Sequence, residues 1–124
     1  LLEGDKMGID KKLMSGTTTL LVLAQLRDRA DYGYGIITKL AGKSENTFLL
    51  KEGTLYPILH GLENQGYVVS YIKEAENGRK RKYYQITKKG LELLANKKTE
   101  WSIFAKKVND VVFNAMTALT SDIR

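Results

Sequence analysis

The sequence predicts a mainly α-helical protein with one small β-hairpin. Apolar residues recur at helical spacing in four stretches, at residues 15–29, 36–41, 55–62 and 91–119. Between the last two stretches, residues 67–73 and 80–87 are rich in β-branched and aromatic residues, which favours strands. The Asn77-Gly78 pair that separates them is a strong signal for a hairpin turn. The chain of 124 residues therefore predicts helices arranged around one two-stranded ribbon.

Composition limits the protein to one small domain, or to one domain with an appendage, and indicates an acidic partner. Lys and Arg together number 20 and Asp and Glu together number 14, which gives a formal net charge of +6. A net positive charge favours nucleic acid as the partner, although it also fits a basic soluble protein that binds none.

Residue types that several chemistries require are missing. The chain has no cysteine, which excludes disulfides and favours the reducing cytoplasm. His60 is the only histidine, so neither a metal site nor a Ser-His-Asp arrangement is expected, and no cofactor. The longest apolar run, residues 20–24, is far shorter than the ~20 residues of a membrane span. With no glycine-rich phosphate loop or carboxylate pair, we expect a protein that is neither an enzyme nor membrane-bound.

The first helix follows a leader without periodicity. Residues 1–9 are expected to be disordered or left over from expression, outside a domain of residues 10–87. The helix of residues 15–29 is apolar on nearly every side, which is typical of a helix buried between two layers. One layer is its own domain, and we expect the other to be a second subunit that contacts Leu20 and Leu23. A core helix within a monomer is the alternative.

A glycine-rich turn at residues 31–35 precedes the second helix, which is predicted to end near Gly42. Tyr32 and Tyr34 flank the start of this helix. Free N–H groups and the positive end of the helix dipole suit a phosphate there, which makes both tyrosines candidate contacts to nucleic acid. Packing within the fold explains the two side chains equally well.

The third helix has one apolar side and one free side. On a helical wheel one arc holds Leu55, Ile58, Leu59 and Leu62, and the other holds Tyr56, Pro57, His60, Gly61 and Asn64. A helix that begins near Gly53 or Thr54 would place Pro57 in its first turn, where a missing N–H is tolerated. Gly66 is expected to end the helix as its C-terminal cap.

Polar side chains on and just before the free side of this helix are candidates for contacts to phosphates and base edges. They are Lys51, Thr54, Tyr56 and His60. Thr54 and Tyr56 are favoured because recognition helices commonly enter the major groove by their N-terminal residues. Asn64, at the other end, is expected to be solvated.

The ribbon concentrates positive charge at its tip. Four consecutive cations lie at and just after the predicted turn, namely Arg79, Lys80, Arg81 and Lys82. A rigid ribbon that presents such side chains fits a phosphate backbone or a minor groove.

Taken together, these motifs resemble the PadR family of transcriptional regulators. The resemblance rests on YGYGII at residues 32–37, GTLYPILHGLE at residues 53–63, QGYV at residues 65–68, NGRKRKYYQIT at residues 77–87 and KKG at residues 88–90. It covers roughly residues 10–113 and implies a winged helix-turn-helix domain that binds DNA. It also implies dimerisation through the C-terminal and first helices. Gly61 stands where many members carry arginine, which argues against base reading at this position.

A long C-terminal helix, predicted over residues 88–120 with Thr87 as its N-cap, carries an apolar heptad pattern. The pattern comprises Leu91, Leu94, Lys98, Trp101, Ala105, Val108, Val112, Ala115 and Leu119, with Phe104, Val111 and Ala118 on one flank. A helix of ~30 residues is ~45 Å long and extends beyond a domain of this size. We therefore expect a homodimer with an interface formed by Leu20, Leu23, Leu94, Trp101, Phe104, Val108, Val111 and Val112.

Trp101 and Phe104 lie one turn apart on this helix and could form a wall for a planar aromatic ligand. Multidrug-responsive members of the PadR family are similar in this respect. Plain packing within the dimer interface is the competing explanation. The sequence thus predicts a dimeric regulator that binds a pseudo-palindromic site on double-stranded DNA, a repressor released by a small aromatic effector. A winged-helix module that binds protein or RNA without an effector is the alternative.

Overall fold

The computed structural model describes residues 11–113, which form five helices and three short strands. In chain order these are α1 (Lys11–Ser15), α2 (Thr18–Leu26), β1 (Asp31–Tyr32), α3 (Gly33–Lys43), α4 (Glu52–Asn64), β2 (Val68–Glu74), β3 (Lys80–Ile86) and α5 (Lys88–Phe113). The chain divides into two compact units, residues 1–94 and 95–124. The predicted leader of residues 1–9 lies outside the described residues, as do Ala115, Ala118 and Leu119 of the predicted heptad.

The sheet has three antiparallel strands in the order β1-β3-β2, whereas the sequence predicted only a two-stranded ribbon. The extra strand, β1, pairs Asp31 with Tyr84 and Tyr32 with Tyr83. It was missed because two residues are too few to show the alternation that identifies a strand. Its pairing with β3 ties the start of α3 to the ribbon.

The hairpin turn lies where Asn77 and Gly78 predicted it, but its loop is one residue longer than the two-residue type. Ala75 N donates to the Arg79 carbonyl at 2.8 Å, and Gly78 N donates to the Ala75 carbonyl at 2.9 Å. Gly78 has φ +82°, as expected where a tight turn is followed by a left-handed residue. The Asn77 side-chain oxygen accepts a hydrogen bond from Arg79 N at 2.9 Å, which orders the tip.

A single apolar core holds α2, α3, α4, the sheet and the start of α5 together. Its buried members are Val22, Leu23, Leu26, Ile36, Leu40, Leu50, Leu55, Leu59, Leu62, Val68, Tyr84 and Leu94. Leu23 is 0% and Leu94 3% exposed within one chain. Neither side chain therefore has surface to offer a second subunit, in contrast to the prediction that both lie in a dimer interface. Leu20 is half-buried.

Helix α4 begins one or two residues earlier than predicted, at Glu52. Pro57 consequently lies in the second turn, not the first, and the N–H that would bond to the Gly53 carbonyl is absent. The predicted end is confirmed: Gly66 has φ +83°, and Tyr67 N donates to the Leu62 carbonyl at 2.9 Å. This is the hydrogen-bonding pattern of a glycine C-cap.

Helix α5 begins as predicted, with Thr87 as its N-cap. The Thr87 hydroxyl oxygen accepts a hydrogen bond from Gly90 N at 3.0 Å. A β-carbon on Gly90 would collide with the Tyr67 carbonyl oxygen, so only glycine allows the helix to start this close to the end of α4. Within residues 11–113, no helix is both long and apolar enough to cross a membrane.

Candidate nucleic-acid interface

Helix α4 presents a polar edge because its other side is held in the core. Leu55 and Leu59 are fully buried, and this fixes the rotation of the helix about its axis. Lys51, Thr54 and His60 are exposed as a result. The three predicted contacts at and after the start of the helix are therefore free to reach a partner.

Tyr56, which the sequence also places on the free side of α4, is only partly exposed. Its ring is half-buried against the core, and a β-carbon on Gly33 would lie 2.5 Å from its hydroxyl oxygen. Burial raises the pKa of the Tyr56 phenol, with a smaller contribution from the carboxylate of Glu52. Gly33 at the start of α3 thus provides the space into which Tyr56 packs.

The start of α3 is less open to a phosphate than the sequence suggested. The Asp31 carboxylate lies so close to Gly35 that a β-carbon there would collide with it. The same carboxylate pairs with Lys39 Nζ at 3.1 Å. A carboxylate already occupies the place where a helix N-terminus attracts anions. Tyr34 is 63% exposed, whereas Tyr32 is half-buried against the sheet.

The outer face of the sheet stacks aromatic rings and cations. Tyr71 and Tyr83 pair across β2 and β3 with ring centroids 5.8 Å apart and planes at 14°, and Tyr32 contacts Tyr83 at 5.4 Å. The Arg81 guanidinium lies 4.5 Å from the Tyr32 ring, and Lys73 Nζ lies 5.4 Å from the Tyr83 ring. Cations held over ring faces in this way are attracted by the ring quadrupole.

The predicted run of four cations is therefore divided, because successive side chains of a strand point to opposite faces. Arg81 lies on the outer face, while Lys82 on the other face lies 3.9 Å from Glu63 Oε1 and 5.5 Å from the Tyr84 ring. Arg79 and Lys80 remain exposed at the tip.

Glu63 links the recognition helix to the ribbon. The Ser70 hydroxyl donates to Glu63 Oε2, and Lys82 on the neighbouring strand approaches the other carboxylate oxygen. Residues of α4, β2 and β3 thus meet at one carboxylate that is about one-third exposed (33%). This contact joins helix α4 to the body of the ribbon.

A helix pair, an antiparallel ribbon and a basic tip in this order form a winged helix-turn-helix. The profile of the family described as "Transcriptional regulator PadR-like family" matches residues 22–96, which span these elements. The chain belongs to the PadR-like family. It is a DNA-binding transcriptional regulator by this membership, and the resemblance noted from its motifs is confirmed.

Solved structures of PadR-like regulators share this fold over most of the chain. A transcriptional regulator from Clostridium thermocellum has 31% sequence identity and a TM-score of 0.75, with 82% of this chain and 99% of that chain covered. A PadR-family regulator from Eggerthella lenta has 34% identity and a TM-score of 0.69, with 82% of both chains covered. A protein of Lysinibacillus sphaericus, described as uncharacterized, is 31% identical over 73% of this chain and 83% of its own length.

The PadR-like sequence motifs now have structural explanations. In YGYG, Gly33 makes room for Tyr56 and Gly35 makes room for Asp31. Sequence reasoning missed Asp31, Glu63 and the aromatic pair across the ribbon. The Tyr71–Tyr83 pair could not be predicted from the turn signal, because a two-residue loop at Asn77-Gly78 would place Ile72 opposite Tyr83, and the extra loop residue shifts the register by one.

The second unit, residues 95–113 as described, is a helical segment with an exposed apolar surface. Trp101 and Phe104 have ring centroids 6.1 Å apart, and Phe104 is 60% exposed. Val108, Val111 and Val112 are also exposed. An ion pair of 2.9 Å joins Lys106 to Asp110 one turn on.

Among residues 11–113, no three side chains of the His, Cys, Asp or Glu type gather where they could hold a metal ion.

Proposed function

We propose that the protein is a homodimeric repressor that binds a pseudo-palindromic operator in double-stranded DNA and is released by a small planar aromatic effector. The observation that carries the DNA part is the exposure of two donor sets on one domain, the free edge of α4 and the tip of the ribbon, while Glu63 joins α4 to the body of the ribbon. A helix edge reads base edges in the major groove, while a cationic tip binds the backbone beside it. Such a protein works in the cytoplasm, where the chromosome is.

Lys51, Thr54 and His60 are the helix contacts in this proposal, and Arg79 and Lys80 are the tip contacts. Tyr34 supports them from the exposed start of α3. Three predicted contacts have a secondary part. Arg81 lies over the ring of Tyr32, so each occupies the other. Lys82 is held by Glu63 and the ring of Tyr84.

Dimerisation follows from the bare apolar surface of residues 95–113. Burying apolar area contributes about 25 cal/mol per Å², and monomeric proteins rarely leave a contiguous apolar surface of this kind in water. A second copy of the same helix is the natural cover for a heptad pattern. The proposed interface comprises Trp101, Phe104, Val108, Val111 and Val112 together with the half-buried Leu20 of α2.

A twofold symmetric dimer presents two α4 helices and should prefer two half-sites about one helical turn apart, or a multiple of it. The test is titration of purified protein with a labelled duplex from the region upstream of its own gene, at several salt concentrations. Arg79→Ala should weaken binding to all duplexes alike and reduce the salt slope by about 1 per lost phosphate contact and per subunit. Thr54→Ala should cost ~1–3 kcal/mol on the cognate site alone.

Lys88→Ala is the matched control, because it removes an exposed cation of the first unit outside both donor sets. It should leave affinity and salt slope unchanged. If alanine variants of the tip leave duplex affinity intact but abolish binding to a protein or RNA partner, the protein is an interaction module instead.

The effector is proposed to bind against Trp101 and Phe104, whose rings are exposed before a second subunit covers them. Trp101 is the only tryptophan of the chain, so its fluorescence reports on this site alone. Planar aromatic compounds should quench it and lower the affinity for DNA. If a panel of flat cationic and phenolic compounds changes neither signal, the two rings serve only to pack the interface.

A further inference from the structure

The turn of the hairpin joins an asparagine to a glycine at an exposed position. Asn77 is the only one of the six asparagines of the chain that a glycine follows. Both residues are exposed at the tip of the ribbon. A β-carbon on Gly78 would meet no other part of the described chain within 4 Å. The peptide between the two residues is thus open to water.

The hydrogen bonds of the turn hold the Asn77 side chain against the next peptide. Arg79 N donates to Asn77 Oδ1 at 2.9 Å, and this bond closes a ring that contains Gly78 N. The side-chain carbonyl carbon, Cγ, is therefore kept close to Gly78 N. The same bond polarises the carbonyl and stabilises negative charge that develops on Oδ1 when a nucleophile attacks Cγ. Glycine adds no side chain that could obstruct such an attack.

One hydrogen bond of the turn opposes this reaction. Gly78 N donates to the Ala75 carbonyl at 2.9 Å, and the nitrogen becomes a nucleophile only after it has lost that proton. Breaking a hydrogen bond that is exposed to water slows a reaction by about two- to tenfold. An asparagine inside a helix is protected better, because the helix must unwind locally before the next N–H is free. Asn96, inside α5, is an exposed example.

We propose that Asn77 deamidates spontaneously in the folded protein and that this modification weakens DNA binding. Gly78 N forms a bond to Asn77 Cγ, the bond from Cγ to Nδ2 breaks, and Nδ2 leaves as ammonia with the proton from Gly78 N. Water then adds to either carbonyl of the five-membered imide and opens it, which leaves an aspartate or an isoaspartate. An uncharged amide is thereby exchanged for a carboxylate, with water as the only co-reactant.

The new carboxylate arises among the cations of the tip. Residues 74–81 contain three cations and two carboxylates, a formal net charge of +1, and one further carboxylate lowers this charge to zero. The Asn77 side chain already bonds to the backbone of Arg79, so the negative charge lies close to a proposed phosphate contact. An isoaspartate also lengthens the backbone within the turn. The effect on DNA rests on the tip contacts of the proposed function, while the reaction itself does not.

Incubation of the full-length protein at neutral and mildly alkaline pH, followed by trypsin digestion and mass spectrometry, tests the reaction. Trypsin cleaves after Lys73 and Arg79 and isolates Asn77 in a short peptide. We expect deamidation about tenfold or more faster than at Asn96, and about tenfold faster for each pH unit, because the deprotonated fraction of the amide rises in that proportion. Equal rates at the two asparagines overturn the proposal.

Titration of a labelled duplex before and after incubation tests the effect on DNA binding. We expect the incubated protein to bind about three- to tenfold more weakly at low salt, since the tip carries an added negative charge. Asn77→Ser keeps a side-chain oxygen that can accept from Arg79 N, has no amide to lose, and should retain its affinity on incubation. Asn77→Asp should reproduce the loss at once. Asn96→Asp adds the same charge outside the proposed contacts and should change the affinity less than about twofold.

Equal weakening by Asn77→Asp and Asn96→Asp would show that DNA binding responds only to net charge, which overturns the effect proposed for the tip. So does an incubated protein that is deamidated at Asn77 and binds as tightly as before. If Arg79→Ala also leaves the affinity unchanged, the tip contacts of the proposed function have failed. The mass measurement involves no DNA and decides the reaction on its own.

Discussion

Helix α4 and the second half of α5 are both amphipathic, yet only one has its apolar side covered. Leu55 and Leu59 of α4 are 0% exposed, whereas Phe104 and Val112 of α5 are 60% and 57% exposed. The same periodicity therefore stabilises the chain in one case and leaves an exposed apolar surface in the other. Periodicity identifies an apolar face, but the neighbours of the helix decide whether that face belongs to a core or to an interface.

Truncating one buried and one exposed leucine should give the largest contrast in the free energy of unfolding. Leu59→Ala should lower the free energy of unfolding by about 2–5 kcal/mol, because it leaves a cavity in a fully packed site. Leu49→Ala makes the same chemical change at a residue that is 59% exposed and should cost less than about 0.5 kcal/mol. Urea unfolding of the two variants measures both values. Similar losses would mean that Leu49 is covered in solution.

The corresponding change on α5 should act on association instead. Phe104→Ala should weaken the dimer by about 2 kcal/mol, or about thirtyfold in dissociation constant, since large aromatic residues near an interface centre dominate its energy. Analytical ultracentrifugation over a range of concentrations measures this. Lys107→Ala, an exposed polar position of the same helix, is the control. If the unaltered chain sediments as a monomer at micromolar concentration, the apolar surface has another function.

The smallest effect concerns Tyr56, which lies between the two extremes of exposure. Burial raises its pKa from the ordinary 10.0, so the folded protein favours the neutral phenol more than the unfolded chain does. This stabilisation is fully present below pH 10 and is lost as the pH rises through the higher folded pKa. Tyr56→Phe should therefore show a flatter decline of stability between neutral and strongly alkaline pH. If urea titrations show the same decline of unfolding free energy with pH for the unaltered protein and for Tyr56→Phe, the phenol is solvated.

Local patterns were sufficient to predict most of the fold. The turn at Gly78, the cap at Gly66 and the N-cap at Thr87 depend on neighbours in the chain, and all three are confirmed. Strand β1 was not predicted because its two residues acquire their conformation from β3, about fifty residues away in sequence. Its identity as a strand is a tertiary property.

The candidate interface was less predictable for the same reason. A helical wheel places Tyr56 on the free side of α4. Because Gly33 has no side chain, the ring of Tyr56 packs into the space beside it. The sequence likewise shows four adjacent cations, while the pleat of β3 and the carboxylate of Glu63 separate Arg81 from Lys82. Exposure and charge at such positions depend on partners that are distant in the chain.

The Glu63 contact sets the spacing between helix α4 and the ribbon in this structure. In the proposed complex, the spacing between α4 and the ribbon would set the distance from the floor of one DNA groove to the backbone of the next. DNA that does not already have this spacing must bend or change its groove width, at a cost set by its own stiffness. The substitution Glu63→Gln would weaken the contact between α4 and the ribbon without removing any of the proposed DNA contacts. In the proposed complex, the base pairs that influence affinity would therefore include some that no side chain touches.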